Sequence, residues 1–516
     1  MTSSNPYLPQ IKSVLPRLLA LYDRDVTSCS YGMGDRYHWA WGLIDFGNAS
    51  YQGAVNGLAH LWKNGLWPYP SDKGLFLERV DSFFSAAQTL TYDDGSLEEA
   101  FPREGSYCVT ALVAFDLLCA AELLRSDVDQ AIYQKWLNVI KPMMDYLIKA
   151  DETHAIISNH LSTAVAALVR WKKLTNSDAG EKKSRALIDR ILYNQSSEGW
   201  FKEYDGADPG YQSLCTYYLA DVHINRPDYK LLEPLRKSVK FLSYFVHPDG
   251  SFGGIYGSRN TRFYFPAGLE LLASEISEAK AIAAYMQKSI LNDTVVGLNS
   301  MDESNLIPMF NAYCRAASVY NSLNNEILLK LPFQHPQRIT FPQTGIVIDA
   351  GPSHYTIINV NKGGVVMHFK DGQNALYDVG VAVKKKSGKL GSTQTFTTGN
   401  IVVITDKEIK VTADICPMPK QLPSPFQFVV IRMLGITIFR FPTLREWFKR
   451  VLVRLLITKK NKWPASNTRK ITLGYDLTIN DHLTSPKGYT VVQNAGSFIS
   501  IHMASQGYWQ IQDEIK

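Results

Sequence analysis

One short pattern returns along the first half of the chain and limits what it can fold into. A glycine-centred turn rich in aromatic and acidic residues is followed each time by an apolar helical stretch. It occurs as DDGSLEEAFPREGSYCVTALVAFDLL from Asp93, SEGWFKEYDGADPGYQSLCTYYLADVH from Ser197 and PDGSFGGIYGSRNTRFYFPAGLELLA from Pro248. Aligned on Gly95, Gly199 and Gly250, the first two place a glutamate at one offset (Glu99, Glu203) and a tyrosine at a later one (Tyr107, Tyr211), and each tyrosine opens an apolar helix. The third keeps the glycine and the aromatics but has Arg262 and Phe263 there. Spacings of about 50 or about 100 residues match one or two helical hairpins with their connections. The turn missing from the series falls near Asp151, before SNHLSTAVAALVRW. Stacked hairpins make either an open solenoid or a closed ring. The repeats are few and every aromatic loop precedes the same member of its pair, so the expectation is an N-terminal (α/α) toroid whose inner helices start at one rim.

The stretches FLERVDSFFSAAQTL, YQKWLNVIKPMMDYLIKA, HLSTAVAALVRWKKL and LEPLRKSVKFLSYF also carry apolar residues at helical spacing. From about residue 335 the texture changes. TGIVIDAG, YTIINVN, GGVVMHF, NIVVITD, KITLGYDLTI and YTVVQNAGSFISIHM are short, β-branched and bounded by Gly, Asn or Asp turns. This predicts a toroid over 1–335, a junction at FQHPQRITFPQTG and an antiparallel β-sandwich over 336–516. A chain of 516 residues exceeds one ordinary core, in keeping with two domains. Cys29, Cys108, Cys119, Cys215, Cys314 and Cys416 lack metal-ligand spacing, so neither a metal, another cofactor nor a disulfide framework is expected. The N-terminus has Lys12 and Arg17 among its apolar residues and no signal-peptide core, which reads as a cytoplasmic chain.

The rim loops hold the residue types that recognise an acidic sugar. Trp200, Tyr204, Tyr256, Tyr107 and Trp41 offer flat faces, Arg259 and Arg262 offer charge, and helix N-termini offer unpaired N–H groups. His38, in DRYHWAWG, reads either as a further contact or as a packed loop histidine. Asn159 and His160, in the SNHL that opens the fourth inner helix, read either as a cap with a surface imidazole or as a polar pair in the cleft. Removing the C5 proton of a uronic acid adds charge beside an existing carboxylate, so a site must hydrogen-bond or neutralise that carboxylate. Asn159 and His160 suit this task. A phenolate can then act as base where positive charge lowers its pKa, and Tyr211 lies one repeat after His160.

SNHL at 158–161, followed about 50 residues later by WFKEYDGADPGYQ, resembles the Asn–His and loop-tyrosine motifs of the heparinase II/III-like and alginate lyase families. The resemblance runs along nearly the whole chain, since those families place a helical toroid before an antiparallel β-sandwich. It implies β-elimination on uronate-containing polysaccharide, with Asn159 and His160 holding the carboxylate and Tyr211 transferring the proton. Dermatan-type epimerases are similar in architecture and share the C5 abstraction, so C5 epimerisation stays open, as does non-catalytic glycan binding. The families' sandwich usually supplies an HxHxD-type segment that this chain lacks. His354 and His368, in GPSHYTIINVNKGGVVMHFKDG, are the single histidines that would have to face the cleft instead. A toroidal glycoside hydrolase would use paired carboxylates from Glu99, Glu203 and Asp208, with Glu203 otherwise serving the sugar. Toroidal terpene cyclases need DxDD or DDxxD, and neither occurs.

The net charge of +6 is modest and concentrated, which argues against a nucleic-acid partner. QFVVIRMLGITIFRFPTLREWFKRVLVRLLITKKNKW, residues 427–463, holds Arg432, Arg440, Arg445, Lys449, Arg450, Arg454, Lys459, Lys460 and Lys462 against Glu446 alone. Its apolar runs are too short to span a bilayer. Leu444, Trp447, Phe448, Val451, Leu452 and Leu455 fall mainly on one helical face, the pattern of a helix lying on an anionic membrane surface. An insert at about 424–465 is therefore expected to hold the chain peripherally at the cytoplasmic face, where lipid-linked glycans are assembled. The other reading is a helical excursion packed on the sandwich or on a second subunit.

Overall fold

The computed structural model describes residues 5–152, 155–204, 206–321, 328–418, 424–453 and 461–499, with backbone alone at 442, 446, 449, 452 and 453. Its helices are α1 (Leu8–Leu19), α2 (Arg36–Trp39), α3 (Val55–Lys63), α4 (Lys73–Leu90), α5 (Tyr107–Leu123), α6 (Gln130–Lys149), α7 (Ser158–Thr175) and α8 (Glu181–Tyr193). There follow α9 (Pro209–Asn225), α10 (Leu232–Leu242), α11 (Ala267–Leu272), α12 (Ser277–Leu291) and α13 (Glu303–Val319), and then α14 (Pro425–Ile436) and α15 (Pro442–Val453) among the strands.

Sequence decides which helices go inside. α9 buries every residue from Pro209 to Val222, and α5 buries an almost unbroken run from Val109 to Ala121, so neither has a face fit for water. By contrast, α8 buries only Ser184, Leu187, Ile188 and Ile191, a single stripe. Among the described residues α3, α5, α7, α9, α11 and α13 each pack on the next, and α13 packs back on α3, closing a ring with the amphipathic helices outside. Asn311 fastens the closure. Its Oδ1 accepts from Gly57 N at 2.9 Å, and its Nδ2 donates to Gly53 O at 2.9 Å.

The repeated glycine has a shared physical cause. Gly95, Gly199 and Gly250 adopt φ of +85°, +101° and +87°, a region that favours glycine. A Cβ built on them would lie 2.0 Å from Pro142 O, 2.3 Å from Lys237 O and 2.2 Å from Thr294 Oγ1. Each rim turn is thus pressed against the next outer helix, or against the chain just beyond it.

The strands are β1 (Gln337–Phe341), β2 (Ile346–Ala350), β3 (His354–Asn359), β4 (Val365–Lys370), β5 (Gln373–Asp378), β6 (Ala382–Lys385) and β7 (Leu390–Ser392). After them come β8 (Ile401–Ile404), β9 (Glu408–Asp414), β10 (Cys416–Pro417), β11 (Ser466–Thr472), β12 (Thr478–Thr484) and β13 (Tyr489–Val491). β1 to β5 form one antiparallel sheet in chain order, and two further sheets run β10-β7-β6-β13 and β12-β11-β9-β8. The two faces of the first sheet have different partners. Ile348, Tyr355, Ile357, Met367 and Phe369 join the toroid core, while Val347, Ile358 and Val366 meet Ile409, Val411 and Ile471 inside the sandwich.

The basic insert is a helical hairpin seated on the toroid rim. Phe439 packs on Phe101 at 5.8 Å between ring centroids, Gly435 sits by Pro102, and Arg432 pairs with Asp45 at 2.6 Å. Arg445 is turned inward, donating to Arg103 O at 3.0 Å and to Asp94 Oδ2 at 3.2 Å. The expected single apolar stripe is therefore divided: Phe448 is half-buried on Phe439, while Leu444 and Trp447 stay exposed. Arg454, Leu455, Lys459 and Lys460, and the end of the last expected strand beyond residue 499, lie outside the described residues, as does the side chain of Leu452.

Candidate active site

Three rim loops meet over the start of α7. Ser158 N donates to Lys202 O at 3.1 Å, and Tyr204 N donates to Ile156 O at 3.1 Å, so the 198–208 loop is stitched to the segment before α7. Asp208 caps α9, accepting from Tyr211 N at 3.2 Å. Its other oxygen takes Arg259 N at 2.9 Å, which brings the third loop to the same place. Asn159 is the second residue of its helix and does not cap it; its side chain crosses to the neighbouring loop.

The result is a buried polar chain across separate hairpins. Asn159 Nδ2 donates to Glu203 Oε2 at 2.7 Å, Glu203 Oε1 accepts from Arg259 Nη1 at 2.9 Å, and Arg259 Nη2 donates to the Tyr211 hydroxyl at 3.3 Å. The guanidinium also lies 4.4 Å from the Tyr211 ring centroid and 5.3 Å from that of Tyr204. Phe263 meets Tyr211 edge-on at 5.7 Å. Tyr204 holds φ of +56°, uncommon for an aromatic residue and supported here by the hydrogen bond to Ile156. His160 Nδ1 is 2.8 Å from Glu152 Oε2, which leaves Nε2 as the outward nitrogen, and 18% of the side chain is exposed.

Burial raises the Glu203 carboxyl above the usual range, opposed by Arg259 and His160. Burial works against the charge of Arg259, but Tyr211, Glu203 and Tyr204 more than offset it and hold the guanidinium protonated. A guanidinium is not deprotonated at physiological pH, and Arg259 and Glu203 form an ion pair. Burial likewise raises the Tyr204 phenol. Such a site offers a fixed cation against a phenol oxygen, a directed amide and an imidazole oriented by a carboxylate.

Several expected site residues lie elsewhere. His354 and His368 are in register positions that face the sandwich interior. His368 Nδ1 is 2.7 Å from Thr356 Oγ1 and Nε2 is 3.1 Å from Tyr475 O, while His354 Nε2 is 3.1 Å from Asp349 Oδ2. The period of two turns both away from the toroid, correcting the expectation that one completes the cleft. Tyr256 is fully buried, its hydroxyl 2.8 Å from His247 Nε2, so it packs the loop and offers no face to a sugar. Trp200 is buried as well, with its indole donating to Glu198 at 2.8 Å. Glu203 is buried between Asn159 and Arg259, and Asp208 is taken up by its cap and by the third loop, so these two of the three carboxylates read for a hydrolase are engaged. Tyr107 is buried at the start of α5, where its hydroxyl has no hydrogen-bond partner among the described residues. Arg262 is half-buried near His247 and Tyr256. His38, half-buried in the short α2, has Nδ1 2.9 Å from Ile44 O, and Trp41 is 67% exposed.

The most informative residue absent from the sequence reading is Lys362, in the turn between β3 and β4. Fully buried, its Nζ donates to Ile255 O at 2.5 Å, to Gly257 O at 2.8 Å and to Asn260 Oδ1. The sandwich thereby clamps the loop that carries Arg259. Burial pulls the ammonium down to about 7, with Asp208 opposing; three acceptors match its three N–H groups and favour the charged form. Nothing in NKGG signals this, because the partners, two backbone carbonyls and the Asn260 amide oxygen, belong to a distant loop. Asp208 does have a local signal, since Asp-Pro ahead of an apolar helix marks a cap followed by proline at the first helical position.

Residues 73–266 match the family described as Ulvan lyase N-terminal domain. The chondroitin AC lyase of Streptomyces coelicolor, solved in complex with chondroitin sulphate, shares the fold with a TM-score of 0.51 at 9% identity, covering 93% of this chain and 66% of that one. Heparinase III gives a TM-score of 0.47 at 10% identity over 93% of this chain and 78% of that one. A Paenibacillus xanthan lyase gives 0.48 at 10% identity over 81% of this chain, which spans 46% of its length. No curated protein matches the sequence. A helical toroid followed by an antiparallel β-sandwich is thus the fold this chain shares with the chondroitin AC lyase.

Proposed function

We propose, on the basis of this lyase-type toroid, that the protein acts on a uronate-containing polysaccharide by removing the C5 proton, with β-elimination as the outcome. The observation that carries the reading is the Tyr211 hydroxyl 3.3 Å from Arg259 Nη2. A buried cation at a phenol oxygen stabilises the phenolate and lets a tyrosine serve as base. Tyr211 takes the C5 proton, the electron pair forms the C4–C5 double bond as the C4–O bond breaks, and the proton passes from Tyr211 to the departing oxygen. Asn159, through its second amide hydrogen, and His160, through Nε2, hold the sugar carboxylate, while Glu203 positions both Asn159 and Arg259.

Epimerisation shares the first step but needs a second proton donor on the opposite face of the sugar. The sandwich histidines read as the second proton-transfer group point into the sandwich, so the elimination proposed here has Tyr211 make both transfers. The test is incubation with uronate oligosaccharides in D₂O. Elimination raises the absorbance of an unsaturated uronate, and Tyr211→Phe should lower that rate by about a hundredfold to ten-thousandfold while leaving thermal unfolding unchanged. Deuterium at C5 without cleavage would replace elimination by epimerisation; binding with neither signal would sink the enzymatic reading. As a further part of this proposal, residues 427–463 attach the protein to an anionic membrane surface. Among the described residues no helix is long and apolar enough to cross a membrane.

A further inference from the structure

The α14–α15 hairpin exposes an unusual amount of apolar side chain: Phe426, Met433, Ile436, Phe441 and Trp447 are each more than half exposed. A toroid loop next to it does the same, with Trp41 67% and Leu43 69% exposed. The two elements are joined by the Arg432–Asp45 pair at 2.6 Å and by Arg432 at 5.5 Å from the Phe46 ring centroid. Two segments almost 400 residues apart, each with exposed apolar side chains, thus meet at Arg432. Exposed Arg440 and Arg450 lie in the same hairpin, and the segment from 427 to 463 carries many cations against Glu446 alone.

We infer that this composite face, hairpin and toroid loop together, rests on an anionic lipid surface with the toroid rim held against it. Aromatic and aliphatic side chains among cations suit the boundary between headgroups and acyl chains, where a protein–protein contact core would be depleted of charge. Placement on the rim gives the contact its meaning. Arg445 and Phe439 fix the hairpin to residues 94–105, the loop that leads into α5, and α5 packs directly on α7. The lipid contact is thereby tied, through α5, to the helix whose first turn carries Asn159 and His160. The substrate that fits is an acidic polysaccharide whose end is anchored in the same bilayer. That last step rests on the proposed reaction; the lipid contact does not.

The test is flotation of the full chain with vesicles of phosphatidylcholine alone or with phosphatidylglycerol, alongside sedimentation velocity without lipid. Wild type should float with the anionic vesicles. Leu43→Ser and, separately, Phe441→Ser with Trp447→Ser should each lower recovery about tenfold, with unfolding temperature and turnover of a soluble uronate oligosaccharide unchanged for Leu43→Ser. Flotation of Leu43→Ser at the wild-type level would remove the toroid loop from the face. A Trp41→Ser variant that floats normally but has a raised KM for soluble oligosaccharide would return Trp41 to the sugar and overturn the proposal. Failure of wild type to float, with a concentration-dependent dimer, would show a second copy covering the face. If wild type floats but turns over no uronate, the lipid contact stands and the reaction assigned above fails.

Discussion

His247 illustrates how completely the third rim loop is packed. It has no solvent exposure, and its two ring nitrogens lie 2.8 Å from Ser251 Oγ and 2.8 Å from Tyr256 Oη. Burial, reinforced by the nearby Arg262 charge, pushes the imidazole down to about 3. Since the folded-state value lies below the unfolded one, the unfolded chain binds the extra proton between about 6.5 and about 3, and stability is lost as pH falls through that window. Glu98, raised by burial to about 7, works in the opposite direction. A comparison with His247→Gln isolates the imidazole. Urea unfolding from pH 7 down to pH 4 should show wild type losing stability more steeply than the variant, by up to ~1.4 kcal/mol per pH unit. Parallel curves would mean that His247 is not held neutral. At this scale the sequence pointed to residues that meet and was poor on orientation. Asn159, Tyr211 and Arg259 do share one cluster, yet Tyr256 and Trp200, from the same aromatic loops, turn inward. An aromatic residue in a glycine-rich loop serves packing as well as recognition, and local sequence does not separate the two.

The loop carrying Arg259 depends on an element from another layer. Lys362 supplies donors to Ile255 O, Gly257 O and Asn260 Oδ1, and Asn359 Nδ2 donates to Tyr256 O at 2.7 Å, so the β3–β4 turn acts as a bracket for residues 255–260. Lys362→Met removes the ammonium and leaves those acceptors buried without partners, with an expected loss of ~2–4 kcal/mol. Hydrogen exchange should accelerate specifically across 254–261, and any uronate turnover should fall while the α7 amides keep their protection. Unchanged exchange in that loop would refute the bracket. The hairpins were readable because a glycine at positive φ and a buried helix each leave a local mark. The sandwich histidines were misread because strand parity relative to the toroid depends on which face docks, a tertiary fact. The Lys362 contact was hidden for a similar reason, as its partners lie about 100 residues away.

On the scale of the molecule, the ring is held shut by groups that are remote in sequence. Asn311 spans Gly53 and Gly57 with two buried hydrogen bonds, and a Cβ on Gly57 would lie 2.4 Å from Phe310 Cε1. Asn311→Leu keeps the volume but strands an N–H and a carbonyl, so urea titration should register a loss of ~2–4 kcal/mol for the toroid transition; a loss under ~0.5 kcal/mol would mean the closure relies on apolar contact alone. The order of helices was legible from periodicity, whereas the pairing that seals them was not, because Gly57 and Asn311 carry no mutual signature. Such a seal also sets a timetable at the ribosome. Until the stretch around residue 311 has left the exit tunnel, α3 has no neighbour on one side, and the nascent chain must wait as an unfinished arc with an oily edge.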